Sequence, residues 1–256
     1  MKIIRKPTVY LVGRQVIDQS AIDQFLADHQ TSWHTDTEVG AEVLCEMAGR
    51  VCYMSFGKGR KTNHEYLNNI LESAHGSVLE HSVWNFIFTG VSRSFTHELI
   101  RHRAGFGYSQ LSQRYVDESE CDFVEPEGIA EDAELHTIWL ESVRQSHEAY
   151  LKLVEGLARK YAAEPSPTLR RKLARQAARS VLPNATETKI FVTGNGRAWR
   201  HFIEMRANEH AEVEIRQSAI EVLKILQKES TNLFGDYQIV DQPDGTQIAT
   251  TPHRKV

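Results

Sequence analysis

Apolar and polar positions along the chain change period several times, and each change marks a predicted element. Thr8-Val9-Tyr10-Leu11-Val12 is dense in β-formers and predicts a strand, followed by a short helix over Ser20 to Asp28. Thr35-Asp36-Thr37-Glu38 has capping-box spacing. Behind it Leu44, Met47, Ala48, Val51 and Cys52 recur at i, i+3, i+4, i+7 and i+8, the stripe of a helix turned to a core. A third helix is predicted from Asn63 to Ala74, with Gly76 as its stop. Period two then takes over: Ser82 to Thr89 places Trp84, Phe86 and Phe88 on one face and Val83, Asn85, Ile87 and Thr89 on the other. Gly90 and Ser92 punctuate the turn into a helix running through Arg103, with Ser92 as its N-cap.

Between Arg103 and Arg114 the pattern loosens around Gly105 and Gly107, which predicts an irregular polar loop, a place where function is often carried. Two or three helices are expected from Leu135 to Ser180, broken at Pro165 and Pro167, then a strand over Thr188 to Thr193. Another helix starts at Asn195 or Gly196, and a long amphipathic one follows with Ile215, Ala219, Val222 and Leu226 as a stripe expected to be core. Few strands among long helices, without βαβ alternation, point to an α+β fold. The 256 residues are expected to form one compact catalytic domain over 1–240, with a polar, mobile tail over 241–256.

Composition narrows the function classes. With 41% hydrophobic and 25% charged residues the chain is neither disordered nor fibrous, and it has no apolar run of the ~20 residues a bilayer helix requires. Its start, Met1 to Lys6, lacks a secretory h-region, so a cytoplasmic location is expected. A net charge of -4 argues against a nucleic-acid coat protein, although acids crowd Asp117 to Glu134 and Arg170, Arg171, Lys172, Arg175 and Arg179 form a basic run. Three cysteines without a CxxC predict no disulfide framework and no thiolate metal site; Cys45 and Cys52, seven apart, are expected as buried thiols on one helical face.

Several motifs fail on geometry. His97-Glu98-Leu99-Ile100-Arg101-His102 separates its histidines by five, roughly 140° around a helix rather than the i, i+4 spacing zinc needs, so no metal site is expected. Gly57 to Thr62 lacks P-loop spacing, and Gly194-Asn195-Gly196 lacks the third glycine of a dinucleotide fingerprint. More informative is Glu98, Arg101, His102 and Arg103 followed by Ser109, Gln110, Ser112, Gln113 and Arg114. Either this is a solvated ion-pair face, or its guanidinium, amide and hydroxyl groups bind the phosphate of a small molecule. Arg179 and Arg206, isolated at the ends of apolar helical patterns, could add to it or form structural ion pairs.

Arg101-His102-Arg103, then eight residues, then Ser112-Gln113-Arg114, resembles the RHR-x(7 or 8)-S-x-R signature of the flavin-dependent thymidylate synthases, the ThyX family. The resemblance continues through Ala178-Arg179-Ser180-Val181-Leu182-Pro183, Thr193 to Arg197, His201 to Arg206 and Ala211 to Arg216, and spans about Ser73 to Gln227.

It implies a ThyX-like fold and an enzyme converting dUMP to dTMP, with 5,10-methylenetetrahydrofolate as carbon donor, NADPH as reductant and tightly held FAD. By the same resemblance dUMP contacts Glu98, Leu99, Ile100 and Arg101, and Gln110, Leu111, Ser112, Gln113 and Arg114, joined by Arg179. Arg206 matches the catalytic arginine at the uracil, where a fixed positive charge activates the ring. FAD meets Ser77, Arg101, His102, Arg103, Gln110, Asn195, Gly196, Arg197 and His201, with His75 and His210 as lesser candidates. No cysteine nucleophile is needed, and none of the three has an activating neighbour in sequence. Glu98 stands where the family often has Gln, Gln110 where it has Glu, and Gly105-Phe106-Gly107 replaces a serine-containing stretch; these swaps bear on charge at the sugar and base. The family assembles as homotetramers with active sites at subunit interfaces. Neither nucleic acid nor membrane is expected as a partner. Two rival readings are a non-catalytic RNA- or nucleotide-binding protein, disfavoured by the acidic balance and the lack of an aromatic binding face, and a flavoprotein of this fold that oxidises NADPH or methylates another uridine compound.

Overall fold

The computed structural model describes residues 1–256. In chain order the elements are β1 (Ile3–Ile4), β2 (Thr8–Arg14), α1 (Gln19–Asp28), α2 (Gly40–Tyr53), α3 (Asn63–Glu72), β3 (Val83–Ser92), α4 (Arg93–Leu99) and β4 (Phe106–Gln110). Then come β5 (Phe123–Val124), α5 (Glu127–Ala130), α6 (Ala133–Lys160), α7 (Pro167–Ala178), β6 (Glu187–Asn195), α8 (Gly196–Arg206), α9 (Val213–Glu229), α10 (Thr231–Phe234), β7 (Gln238–Asp241) and β8 (Gln247–Thr250). A four-stranded sheet has the order β2-β3-β6-β4. With 49% helix, 17% strand and helices not alternating with strands, the fold is α+β, as the sequence pattern implies.

Two compact units are drawn from interleaved stretches of chain. The first comprises Met1–Thr8, Phe88–Arg101 and Ser109–Phe191. Its small parallel pair sets Ile3 opposite Phe123 and Ile4 opposite Val124. Ser92 caps α4 by accepting from the Phe95 amide, which turns Phe95 inward to meet Phe88 at 5.6 Å between ring centroids. Asp132 caps the 28-residue α6, and Ser166 with Pro167 at the first helical position opens α7, as the prolines predict. Along α6 only Val143 and Tyr150 are buried, while Leu135, Ile138, Leu151 and Leu153 are exposed.

The second unit comprises Val9–Ile87, His102–Tyr108 and Val192–Val256. Trp84 and Phe86 on β3 are buried and meet Phe234 and Trp199 edge-on at 5.5 and 4.9 Å. The predicted stripe of α9 is buried at all four positions.

Five local expectations do not hold in the structure. Helix α2 buries Ala41, Glu42, Val43, Cys45, Glu46, Gly49 and Arg50, whereas Val51 and Cys52 are exposed and Leu44, Met47 and Ala48 half-buried. The buried face is polar because every charge on it is answered: Glu46 accepts from Arg50, Asn63, Trp33 and Thr35, and Glu42 from Ser230, Asn232 and Thr37. The capping box is absent, since Val39 is the N-cap and Thr37 donates to Glu42 instead. Helix α3 ends at Glu72 with Ala74, not Gly76, in the left-handed region. Helix α4 stops at Leu99, and the expected loop after Arg103 contains strand β4 with alternating burial.

The polar stretch 241–256 is not bare of structure. β7 and β8 form an antiparallel hairpin pairing Gln238 with Thr250 and Asp241 with Gln247. Beyond it the His253 carbonyl accepts from Arg200, Arg254 donates to Glu204, and Ala249 N–H donates to the Ala207 carbonyl.

Candidate active site

In the first unit the residues expected at the nucleotide gather on the end of α4, the end of β4 and the turn after it. Gln110, at the tip of β4, donates from Nε2 to the Thr96 hydroxyl at 3.1 Å and reaches Thr188 Oγ1 at 3.4 Å, which fixes its amide. Leu111 N–H donates to the Lys189 carbonyl, and Ser112 closes a turn by accepting the amides of Tyr115 and Val116. Gln113 and Leu99 are buried; Ile100, Arg101, Arg114 and Arg179 are exposed, and Glu98 is half-buried. Polar donors therefore face water on a turn held by these backbone bonds.

One residue missed by sequence reasoning belongs with this group. Arg93, the first residue of α4, donates through Nη2 to the Leu111 carbonyl at 2.9 Å, while its buried Nε has no partner. Burial pushes its guanidinium below the usual arginine range; Arg179 nearby adds to the push, against the opposing pull of Glu118 and Glu187. The orphaned buried N–H is costly, whereas Glu118 and Glu187 already offset the charge of Arg179; a phosphate monoester has the charge and acceptor count to pair with such guanidinium groups. The signal in sequence was weak: Arg93 is simply the residue after an N-cap.

Of the expected cofactor residues, Arg101 and Gln110 belong to the first unit, whereas in the second unit Asn195, Gly196, Arg197 and His201 lie at the start of α8 or on it. Asn195 caps this eleven-residue helix by accepting from the Ala198 amide at 2.8 Å, and its own N–H donates to the Gly105 carbonyl. Gly105 has φ +74°, and a Cβ there would lie 2.7 Å from Asn195 Nδ2 and 2.9 Å from Ala198 Cβ. Glycine is thus what lets the segment from His102 close onto the start of α8. Phe106 anchors it, edge-on to Trp199 at 4.9 Å. Gly194 is needed beside them, because a Cβ would stand 2.6 Å from the Phe106 ring.

His102 is buried, and Arg206 at the end of α8 donates from Nε to His102 Nε2 at 2.9 Å. Burial first, then the Arg206 charge and His201, push this imidazole down to about 4, so it is neutral at physiological pH. The Tyr108 hydroxyl donates to the His102 carbonyl. Ser77, Arg103 and His201 are exposed, Gly196 is buried with its N–H on the Ser82 carbonyl, and Arg197 is paired with Glu80 at 2.7 Å. His75 precedes the short turn Gly76–His81, and exposed His210 lies 3.5 Å from Glu209. The exposed imidazole of His201 and the guanidinium of Arg197 on α8, with Asn195 before it, suit an anionic, phosphate-bearing flavin. Of the thiols, burial pushes Cys45 and Cys121 up to about 12, and Cys52 is exposed.

Residues 35–230 match the family described as Thymidylate synthase complementing protein. The chain is 52% identical over 232 residues to the flavin-dependent thymidylate synthase of Mycolicibacterium vanbaalenii, an alignment covering 90% of this chain and 92% of that one. The proteins of the same description from Mycobacterium avium and Mycobacterium tuberculosis are likewise 52% identical over 231 residues, covering 89% of this chain and 92% of each relative. Signature residues, scaffold and relatives agree, and the chain belongs to the flavin-dependent thymidylate synthase family.

Proposed function

We propose that this protein converts dUMP to dTMP, taking the methylene from 5,10-methylenetetrahydrofolate and reducing equivalents from NADPH, with FAD held by Ser77, Arg101, His102, Arg103, Gln110, Asn195, Gly196, Arg197 and His201. The bound flavin supplies hydride transfer; the chain supplies binding, orientation and charge. Arg93, Arg101, Arg114 and Arg179 hold the nucleotide phosphate, with Ser112 and the amides of the turn at Gln113 as further donors. Glu98, Leu99, Ile100, Gln110 and Leu111 contact the nucleotide's sugar and base. Arg206 faces the uracil, where its permanent charge stabilises the electron-rich, enolate-like ring and favours reaction at C5. The observation that carries this reading is half-buried Arg206 bonded through Nε to a neutral imidazole at 2.9 Å, a cation of set orientation.

Chemistry without a thiol nucleophile is supported by Cys45 and Cys121, whose burial keeps them protonated. The active assembly is a homotetramer with sites at subunit interfaces. Supporting it are the exposed apolar side chains of Leu135, Ile138, Leu151 and Leu153 on α6, of Val51 and Tyr53 on α2 and of Met54 just after it, surfaces that a second copy would cover. No helix is long and apolar enough to cross a membrane, and the proposed location is the cytoplasm.

The test is anaerobic incubation of the purified protein with dUMP, methylenetetrahydrofolate and NADPH, with and without FAD, the nucleotide product being read by mass. FAD-dependent dTMP is expected. NADPH oxidation without dTMP, or methylation only of another uridine compound, overturns the substrate assignment; Arg206→Ala with near-normal turnover removes Arg206 from the mechanism.

A further inference from the structure

We infer that His102 is a positioning residue for Arg206: its unprotonated Nε2 accepts the Arg206 Nε–H and thereby fixes the plane and reach of the guanidinium. This rests on the proposed role of Arg206 at the uracil. A guanidinium Nε is always a donor, so the 2.9 Å contact requires Nε2 of His102 to be a lone-pair acceptor and the ring proton to reside on Nδ1. Arginine otherwise has four rotatable side-chain bonds. Engaging Nε, rather than an Nη, fixes the group at its root and turns the Nη edge as one rigid fork.

The imidazole is itself well held. Its ring meets Phe202 edge-on at 5.4 Å and 79°, Phe106 at 6.3 Å and 77°, and His201 at 5.6 Å and 64°. The Tyr108 hydroxyl holds its backbone carbonyl. Phe202 lies one turn before Arg206 on α8, so the same helix carries both the guanidinium and part of the wall that orients its acceptor. Arg206 and His201 place positive or proton-donating groups beside the ring and no carboxylate is hydrogen-bonded to it, which keeps the imidazole neutral. A protonated His102 would present a donor to a donor and lose this bond to Arg206.

The ring atoms define a discriminating experiment. The amide oxygen of glutamine reaches the place of Nε2, whereas that of asparagine reaches only the place of Nδ1. His102→Gln, His102→Asn and His102→Phe are prepared as flavin-loaded protein, and flavin content, melting temperature, kcat, KM and dUMP affinity by calorimetry are measured. Loss of one charge-assisted hydrogen bond predicts kcat about tenfold lower or more for His102→Phe and His102→Asn, with His102→Gln recovering most of it at equal flavin content. In an Arg206→Ala background the His102→Phe change should alter dUMP affinity less than twofold, because there is nothing left to position. Equal activities of the Gln and Asn variants, or the same fold-change in dUMP affinity with and without Arg206, overturn the inference. If His102→Phe cannot hold flavin, the Gln and Asn pair decides. Failure of the underlying reading is distinct: Arg206→Ala alone would then leave both kcat and dUMP affinity unchanged.

Discussion

Replacing Asp236 by Ala should destabilise the protein through Arg200, a buried residue on α8 between Arg197 and His201. The Arg200 side chain is 3% exposed and makes two 2.7 Å bonds to the Asp236 carboxylate, one to each oxygen. It also donates to the Leu233 carbonyl at 2.6 Å and the His253 carbonyl at 3.2 Å, and lies 4.7 Å over the Tyr237 ring. Removing the carboxylate strands a buried cation, a change that costs about 3–5 kcal/mol, and the two carbonyls that remain favour the lower end. At about 2–4 °C per kcal/mol for a chain of this size, about 3 kcal/mol lowers the melting temperature by roughly 6–12 °C, read by calorimetry on flavin-free protein. Burial alone would raise the Asp236 carboxyl, but hydrogen bonding and charge from Arg200, with Thr251, hold it below the usual aspartate value. Its folded value being depressed, the stabilisation is present above the unfolded value and is lost as pH falls through the folded one. The gap between parent and variant should therefore be constant from pH 5 to 8 and close only below about pH 4. Replacing both partners, Arg200→Met with Asp236→Leu, should recover much of the loss. A gap under about 1 kcal/mol for Asp236→Ala at pH 7 would refute the reasoning.

Other outcomes are expected from single features. The His102 ring, pushed down to about 4, should show no titration in NMR at pH 6; its folded value lies below the usual 6.5, so its contribution to stability is complete above pH 6.5 and is lost as pH falls toward 4. Gly105→Ala forces a left-handed backbone and a clash with Asn195, which should cost about 1–3 kcal/mol and reduce flavin retention after gel filtration; unchanged retention would count against closure of that segment onto α8. Iodoacetamide on the native protein should modify Cys52 alone, and Cys52→Ser should keep full turnover, because burial keeps the other two thiols protonated and inaccessible. Arg93→Met should raise KM for dUMP about tenfold or more, the loss expected for a charge-assisted phosphate contact, and an unchanged KM would return Arg93 to a purely structural role.

The parts of this protein legible in its sequence are those where one local rule decides. Trp84, Phe86 and Phe88 alternate and are buried, Ser92 and Asn195 cap the helices they precede, Pro167 opens α7, and the α9 stripe is core. The signature from Arg101 to Arg114 was readable too, because chemistry fixes residue types at fixed spacing. What the sequence could not reveal is how charge would be answered at a distance. Helix α2 turns Glu42, Glu46 and Arg50 inward and leaves Val51 and Cys52 in water because Asn63, Ser230 and Asn232, up to 190 residues away, supply hydrogen bonds. Arg93 is locally an ordinary residue after an N-cap, and its orphaned Nε and the charge of Arg179 beside it arise only in the fold. The polar stretch after Asp241 gains a hairpin and bonds to Arg200 and Glu204 that no composition rule contains. Hydrophobic periodicity and caps act within a few residues and are written in order along the chain. Pairing of buried charges, and the tautomer of a histidine such as His102, depend on which distant groups arrive beside them, and only the tertiary structure decides that.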